Sequence, residues 1–258
     1  FLSRKKAEFG VGIARMEDRY FQTNIIDFSE TKHDKSTYSI FGGSIVLEGS
    51  TLNARQFATQ GSREKMAAQI FTGTEHFRSG ISKVTKGTPE PYKKVQSWLQ
   101  VSYQNETYHK VSPKFTLGAY LEAYYSSRNF SNNYTATLMQ AGEFTPTAHS
   151  KVTYNEAFRA NQYAGVGTMP IYQLSESFQL RGEFYGFIPI FPIKKDEYGQ
   201  AYYGKAFTKF EYLGEISLVF QLSFGSISAY VNHYSSPSND WNVGLTLGWQ
   251  LFNSRFVE

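Results

Sequence analysis

The sequence has no cysteine among its 258 residues, which excludes disulfide bonds and thiolate metal sites. It also has no apolar stretch of about 18 residues, which excludes a transmembrane helix. The 26 basic and 22 acidic residues are scattered and lack the basic stripe that nucleic-acid binding requires. The first ten residues, FLSRKKAEFG, lack the apolar core and the cleavage site of a secretory signal. We therefore expect a mature or truncated chain.

Aromatic residues, by contrast, are abundant. The 19 tyrosines and 22 phenylalanines account for most of an aromatic share of 17%. This share is high for a soluble domain and is typical of transmembrane β-barrels, which carry aromatic girdles at both membrane interfaces. The mean hydropathy of −0.42 is compatible with that class, because only every second residue of a barrel strand faces lipid.

Two-residue alternation of apolar and polar residues is the main structural signal. It is strongest in 210–224, 226–232 and 241–251, and it recurs in 115–124 and 178–186. Weaker candidate strands are 7–16, 18–26, 37–48, 63–74, 93–106, 132–141 and 158–168. The pattern predicts about twelve strands of roughly 10–15 residues, which is longer than the 5–6 residues typical of soluble proteins.

These features predict an all-β fold, a transmembrane antiparallel β-barrel that occupies 1–258 as one domain. A soluble β-sandwich is the alternative, but it would have shorter strands and denser turns. Two short turns contrast with four longer polar segments: the turns are 224–225 and 174–176, and the segments are 27–35, 78–92, 145–155 and 194–205. This asymmetry is typical of outer-membrane barrels, whose long loops lie outside the cell. We therefore predict the outer membrane of a Gram-negative bacterium as the location.

Alternation also predicts which face each side chain occupies. The polar residues expected to point into the lumen are Gln179, Arg181, Glu183, Glu211, Glu215 and Gln221. They indicate either a hydrogen-bonded network that fills the barrel or a charged constriction that selects permeating solutes. The apolar residues expected to face lipid are Phe220, Leu222, Val231, Leu245 and Leu247.

The last predicted strand resembles the C-terminal assembly signal of outer-membrane proteins, polar-x-Gly-x-x-apolar-x-aromatic. The matching residues are Asn242, Gly244, Leu247 and Trp249. An amphipathic edge strand of this kind can pair with the barrel-assembly machinery by strand addition. An ordinary final strand is the alternative, and the tail 253–258 departs from the signal. Alternation places Gly244 on the lumen side, where Tyr230 can pack over it.

Several segments resemble the C-terminal barrel of Bacteroidota patatin-like phospholipases, which belongs to the BamA-like surface-antigen superfamily. The segment 50–63 is similar to their TLN…(F/Y)-x-T-x-G-(S/T)-R element, and 178–189 is similar to a later strand. The segments 231–234 and 242–252 resemble the last hairpin. The resemblance implies an upstream hydrolase domain, a small periplasmic linking domain and a barrel that typically has sixteen strands. This chain would then be the C-terminal part of a longer protein.

The residues that patatin chemistry needs do not occur in this sequence. The stretch 42–46, GGSIV, lacks the second glycine of a Gly-x-Ser-x-Gly elbow. His233 and Ser235 have the His-x-Ser spacing of outer-membrane phospholipase A, which places both side chains on one strand face. A histidine at the membrane interface is the favoured interpretation, because His233 borders a polar turn and that family's Asn-containing motif is absent. The remaining histidines, His33, His76, His109 and His149, are isolated, so we predict no catalytic, metal or cofactor site.

The leading interpretation is therefore a membrane anchor and conduit of a patatin-like, BamA-superfamily protein. A passive porin-like channel and a barrel lipase remain alternatives. The expected partners are outer-membrane lipids, lipopolysaccharide and the barrel-assembly machinery. A homodimer or a larger membrane complex is left open.

Overall fold

The computed structural model describes residues 4–21, 32–80, 92–236 and 241–249. Within these ranges the fold is all-β, as the alternation predicts, with one short helix. The strands are β1 (Arg4–Tyr20), β2 (Asp34–Ser50), β3 (Gly61–Arg78), β4 (Tyr92–Lys110), β5 (Phe115–Ser126), β6 (Gly142–Glu143), β7 (Arg159–Ala160), β8 (Gln162–Gln173), β9 (Phe178–Pro189), β10 (Ile193–Lys195), β11 (Ala201–Tyr203), β12 (Glu211–Leu222), β13 (Gly225–Tyr234) and β14 (Trp241–Trp249). The helix is α1 (Tyr134–Gln140).

Ten of these strands form one antiparallel sheet in the order β1-β2-β3-β4-β5-β8-β9-β12-β13-β14. Neighbours in the sheet follow one another in sequence, so the sheet is a meander of hairpins. Its strands have 9 to 19 residues, which is long for a soluble protein. Among the described residues β1 and β14 each pair on one side only, and the sheet is not closed. The pairs β6–β7 and β10–β11 form two small separate sheets.

Alternation gives the large sheet two chemically different faces. In β12, Glu215 and Val219 are buried on one face, whereas Ile216 is 51% exposed on the other. We call the buried side the concave face and the opposite side the outward face. Each of the ten strands exposes at least one large apolar side chain on its outward face, represented by Val11, Ile45, Ile70, Val95, Leu121, Val166, Phe184, Ile216, Ile227 and Leu245.

The turn between β2 and β3 (51–60) shows that the sheet is curled. In this β2–β3 turn, Gln56 accepts a hydrogen bond from the Ser226 hydroxyl on β13 at 3.0 Å. In the sheet order β3 and β13 are six strand spacings apart, roughly 29 Å in a flat sheet. Gln56 lies only five positions before Gly61, where β3 begins, and five residues span at most about 18 Å. The sheet therefore curves around its concave face.

An insertion between β5 and β8 (127–161) packs on this concave face. It contains α1, the β6–β7 pair and two turns of 3₁₀ helix at 150–152 and 156–158. Phe144 and Phe158 of the insertion join a buried cluster with Tyr163, Tyr185 and Phe187 of the sheet. Within the described ranges, no helix has the length and apolar character needed to cross a membrane.

Three details of the sequence prediction were wrong. The strand predicted at 132–141 is largely α1, because the Asn133 side-chain oxygen accepts the Ala136 amide at 2.8 Å and caps a helix there. The predicted strand 18–26 is not a separate element: its first residues complete β1, and 22–26 lies outside the described residues. The segment 194–205, predicted as a loop, contains most of the β10–β11 hairpin.

Candidate functional site

The structure places all six residues predicted to point inward on the concave face. Five of them are buried: Gln179, Arg181, Glu183, Glu211 and Glu215. Gln221 is half-buried at the end of β12. These residues do not converge on one centre. They divide among a cluster around Arg181, which meets the β2–β3 turn, Glu215, which meets the insertion, and Glu211, which contacts Ser235 and Lys209.

Arg181 is the centre of the first cluster, and its side chain is 3% exposed. Its Nε donates to Glu183 Oε1 at 2.5 Å, and one Nη donates to the Tyr108 hydroxyl at 2.8 Å. The other Nη donates to the Ala58 carbonyl of the β2–β3 turn at 2.9 Å. Tyr185 donates its hydroxyl to the second oxygen of Glu183 at 2.9 Å. We call these five residues the Arg181 cluster.

The β2–β3 turn is shaped by residues of the TLN…F-x-T-x-G-S-R element. The Asn53 side-chain oxygen accepts the amides of Thr59 and Gln60 at 3.0 and 3.1 Å, which ties the turn together. Phe57 has a φ of 53°, and Gly61 has a φ of 92°. A side chain at Gly61 would also collide with the Thr51 carbonyl, so glycine is required there.

Two segments that were singled out separately in the sequence therefore touch each other. The turn comes from the 50–63 element, and Arg181 comes from the 178–189 strand. Besides the Arg181 contact, the amide groups of Gln179 and Gln221 donate to the Phe57 carbonyl at 3.3 and 3.2 Å. The contacts hold the turn inside the curve of the sheet, where it covers the end of the concave face near the short turns.

His149 of the insertion makes the second site, which sequence reasoning missed. Its Nδ1 lies 2.7 Å from Glu215 Oε1, and its Nε2 lies 2.8 Å from the Thr246 hydroxyl. The imidazole stacks on the Tyr230 ring at 3.5 Å. His149 and Glu215 are 6% and 3% exposed. The arrangement fastens the insertion to β12, β13 and β14, and no local sequence signal could reveal contacts 66 and 97 positions apart.

The other end of the insertion is fastened to the opposite edge of the sheet. Gln140 donates to Asp18 of β1 at 2.6 Å, and Asn133 donates to the Tyr20 hydroxyl at 2.9 Å. Arg128 donates to Gln140 at 2.7 Å and lies over the Trp98 ring at 4.5 Å. Burial lowers the pKa of the Arg128 guanidinium, and Tyr38 and Glu75 oppose that shift. The insertion thus contacts both β1 and β14.

His233 and Ser235, the pair with the His-x-Ser spacing of a barrel lipase, do not contact each other as a base and its nucleophile would. His233 packs against Tyr212 and Trp241, with ring centroids 5.8 and 4.8 Å away. The Ser235 hydroxyl is hydrogen-bonded to Glu211 rather than to His233. Among the described residues, no group of three or more His, Asp or Glu is placed to hold a metal ion.

The predicted assembly signal lies on the edge strand β14. A Cβ atom at Gly244 would lie 2.5 Å from the Tyr230 ring, so Tyr230 packs over this glycine as expected. Leu247 is 65% exposed on the outward face. The side chain of Trp249 lies outside the described part of the chain.

No protein-family model matches the sequence, and no curated protein matches it.

Replacing Arg181 by methionine should leave the buried Glu183 carboxylate without its cationic partner and release the β2–β3 turn. Breaking a buried ion pair typically costs about 3–5 kcal/mol, so we expect a loss of that order in the free energy of unfolding, measured by urea titration. The matched control is Arg63→Met, which breaks ion pairs with Glu48 and Glu106 whose side chains are 31% and 23% exposed, Arg63 itself being 38% exposed. The control should lose less than about 1 kcal/mol. Equal losses in the two variants would contradict the proposed role of Arg181.

Proposed function

We propose that this chain is the wall of a transmembrane β-barrel in a bacterial outer membrane and that it anchors a larger protein there. The observation that carries the proposal is an inversion of polarity between the two faces of the sheet. Charged side chains are buried on the concave face, and large apolar side chains are exposed on the outward face. A soluble protein distributes these side chains in the opposite way.

The exposed apolar surface is continuous around the sheet. Val11, Ile13, Val243 and Leu245 are about four-fifths exposed, with values of 80%, 85%, 79% and 82%. On soluble monomers, contiguous apolar patches rarely exceed a few hundred Å². A band to which all ten strands contribute is much larger than that, and lipid is the solvent that it fits.

The buried charges support the same orientation. Arg181, Glu183 and Glu215 would be costly to bury without partners. Each has partners on the concave face, supplied by the β2–β3 turn, the insertion and neighbouring strands. Strands that alternate apolar outward and polar inward are the pattern of an outer-membrane barrel.

The two sheet edges need partners in this setting. An unpaired backbone group in lipid costs several kcal/mol, so an open sheet cannot stay open in a bilayer. The insertion reaches Asp18 and Tyr20 of β1 through Gln140 and Asn133, and Thr246 of β14 through His149. We propose that β1 and β14 close on each other or on further strands of a longer barrel, such as the sixteen-stranded barrel implied by the sequence resemblance.

The filled interior favours an anchor over a passive channel. Ala58 from the β2–β3 turn and Phe144, Ala157 and Phe158 from the insertion belong to one buried cluster with the strands. This cluster occupies the concave face between β4 and β13. A porin-like channel would need a water-filled path past these aromatic side chains.

We further propose that the anchored protein is patatin-like. The support is the resemblance of 50–63 and 178–189, together with the contact that the structure gives these two segments. A Gly-x-Ser-x-Gly elbow upstream in the intact protein, labelled by a serine-reactive fluorophosphonate, would bear the assignment out. An intact protein without such an elbow would refute it and leave the anchor proposal standing.

An arginine on the outward face should disrupt membrane insertion. Leu245→Arg places a charge where we expect lipid, and near the midplane this costs about 2–4 kcal/mol. The matched control is Val152→Arg, because Val152 is 85% exposed on the insertion rather than on the outward face. Incorporation of the intact protein into bilayers is measured by resistance to carbonate extraction and by heat-dependent mobility on gels. If both variants insert normally, the outward face does not contact lipid.

The intact protein should conduct no steady ion current in a planar bilayer, because the insertion fills the concave face. Replacing 129–160 by a short Gly-Ser linker should produce stable conductance. Phe144→Ala/Phe158→Ala should give intermittent openings, which keeps the test valid if the deletion variant fails to fold. Steady conductance of the unaltered protein would favour the porin-like alternative.

A further inference from the structure

Basic side chains cluster at one end of the outward face. The register places Arg19, Lys35 and Arg78 directly opposite one another on β1, β2 and β3. The next outward row contains Glu17, Thr37, His76 and Lys93, and the row below it begins with Arg15. We call Arg15, Arg19, Lys35, His76, Arg78 and Lys93 the basic patch. It lies where β1–β4 meet the longer connections.

The patch has no counterpart on the rest of the sheet. The outward positions of β5, β8, β9, β12, β13 and β14 carry no lysine or arginine. Around a symmetric barrel, a general attraction to an anionic surface would place basic residues on many strands. The concentration on four adjacent strands points instead to one localised ligand.

The charges within the patch are poorly balanced. Glu17 forms ion pairs with Arg19 and Lys35, both at 2.6 Å. Among the described residues, Arg15, Arg78 and Lys93 have no acidic partner. Directly opposite side chains on neighbouring strands lie about 5 Å apart, and like charges at that distance are destabilising. A bound anion would remove this repulsion.

An apolar groove adjoins the patch. It has a volume of about 580 Å³ and lies on the outward face across β1–β4. Ile13, Phe41 and Val95 line it, and Arg15 lies at its border with the patch. On β2 and β3 the hydroxyl-bearing residues Ser39 and Thr74 lie between the basic and the apolar outward positions. On β1 and β4 the apolar residues Ile13 and Val95 directly follow Arg15 and Lys93 in the outward series.

We propose that this surface binds one phosphorylated glycolipid of the lipid A type, with its phosphates on the basic patch and an acyl chain in the groove. The inference rests on the proposed function, which places the long connections outside the cell and hence the patch at the outer leaflet. Arginine and lysine form strong charge-assisted hydrogen bonds with phosphate oxygens. Five Lys/Arg residues on three rows suit a headgroup with more than one phosphate better than the single phosphate of a glycerophospholipid.

The test uses the intact protein in nanodiscs of phosphatidylcholine, with purified lipid A titrated in and counted by native mass spectrometry. The variant Arg15→Gln/Arg78→Gln/Lys93→Gln removes the unbalanced charges. The matched control, Lys5→Gln/Lys110→Gln/Lys114→Gln, removes the same charge at the opposite end of the sheet, where all three residues are exposed. We expect one lipid A bound per protein, at least tenfold weaker binding in the patch variant and unchanged binding in the control.

Three outcomes would overturn the inference. The first is a patch variant that retains lipid A as well as the control does. The second is displacement of lipid A by phosphatidylglycerol at equal concentration, which would indicate general attraction to anionic lipids. In both cases a protein that enters the nanodisc leaves the membrane-anchor proposal intact. A protein that fails to enter the nanodisc overturns that proposal, and the lipid A site with it.

Discussion

Charged side chains are buried on the concave face, whereas the outward faces of all ten strands carry large apolar side chains. Since a buried charge needs a partner, these charges must be satisfied within the protein. The Arg181–Glu183 pair shows the constraint most clearly. Both side chains are buried, and an uncompensated charge in such a place costs several kcal/mol. The strands alone cannot supply every partner that the guanidinium needs. The carbonyl of Ala58 completes its hydrogen bonds, so the β2–β3 turn has to fold inward rather than project away from the sheet.

The same constraint explains the insertion. Glu215 on β12 and Asp18 on β1 are inward carboxylates at opposite sides of the curled sheet, and residues of the insertion contact both. Its aromatic residues then pack against Tyr185 and Phe187, so polar and apolar contacts act together. The turn covers one end of the concave face, and the insertion crosses it. The outward face is left to interact with its surroundings, and every strand presents large apolar side chains there.

Strict alternation made most of the large sheet predictable. Along β12, the inward residues Glu211, Glu215, Ser217 and Gln221 alternate with apolar outward residues, because a half-buried strand has a period of two. Leu213 and Val219 are the apolar exceptions on the inward side. The insertion was not predictable in this way. The seven residues of α1 alternate weakly, which suggested a strand, whereas the capping contact from Asn133 stabilises a helix there. The site at His149 depends on Glu215 and Thr246, which are brought near each other by the pairing of β12 and β14 with β13, and near His149 by the packing of the insertion. The resemblance motifs identified Arg181 and the 50–63 segment, but not their contact with each other.

In the proposed barrel the outward face contacts lipid and the concave face is closed to it. Since the chain has no cysteine, single cysteines can be placed and spin-labelled along β12 in the bilayer-reconstituted protein. Labels at Ile216, Leu218 and Phe220 should collide readily with oxygen dissolved in lipid, and labels at Ser217 and Val219 should be protected from both oxygen and a water-soluble nickel reagent. This two-residue period in oxygen accessibility is the predicted result. Equal accessibility at all five positions, or nickel contact at the outward ones, would contradict lipid contact of the outward face.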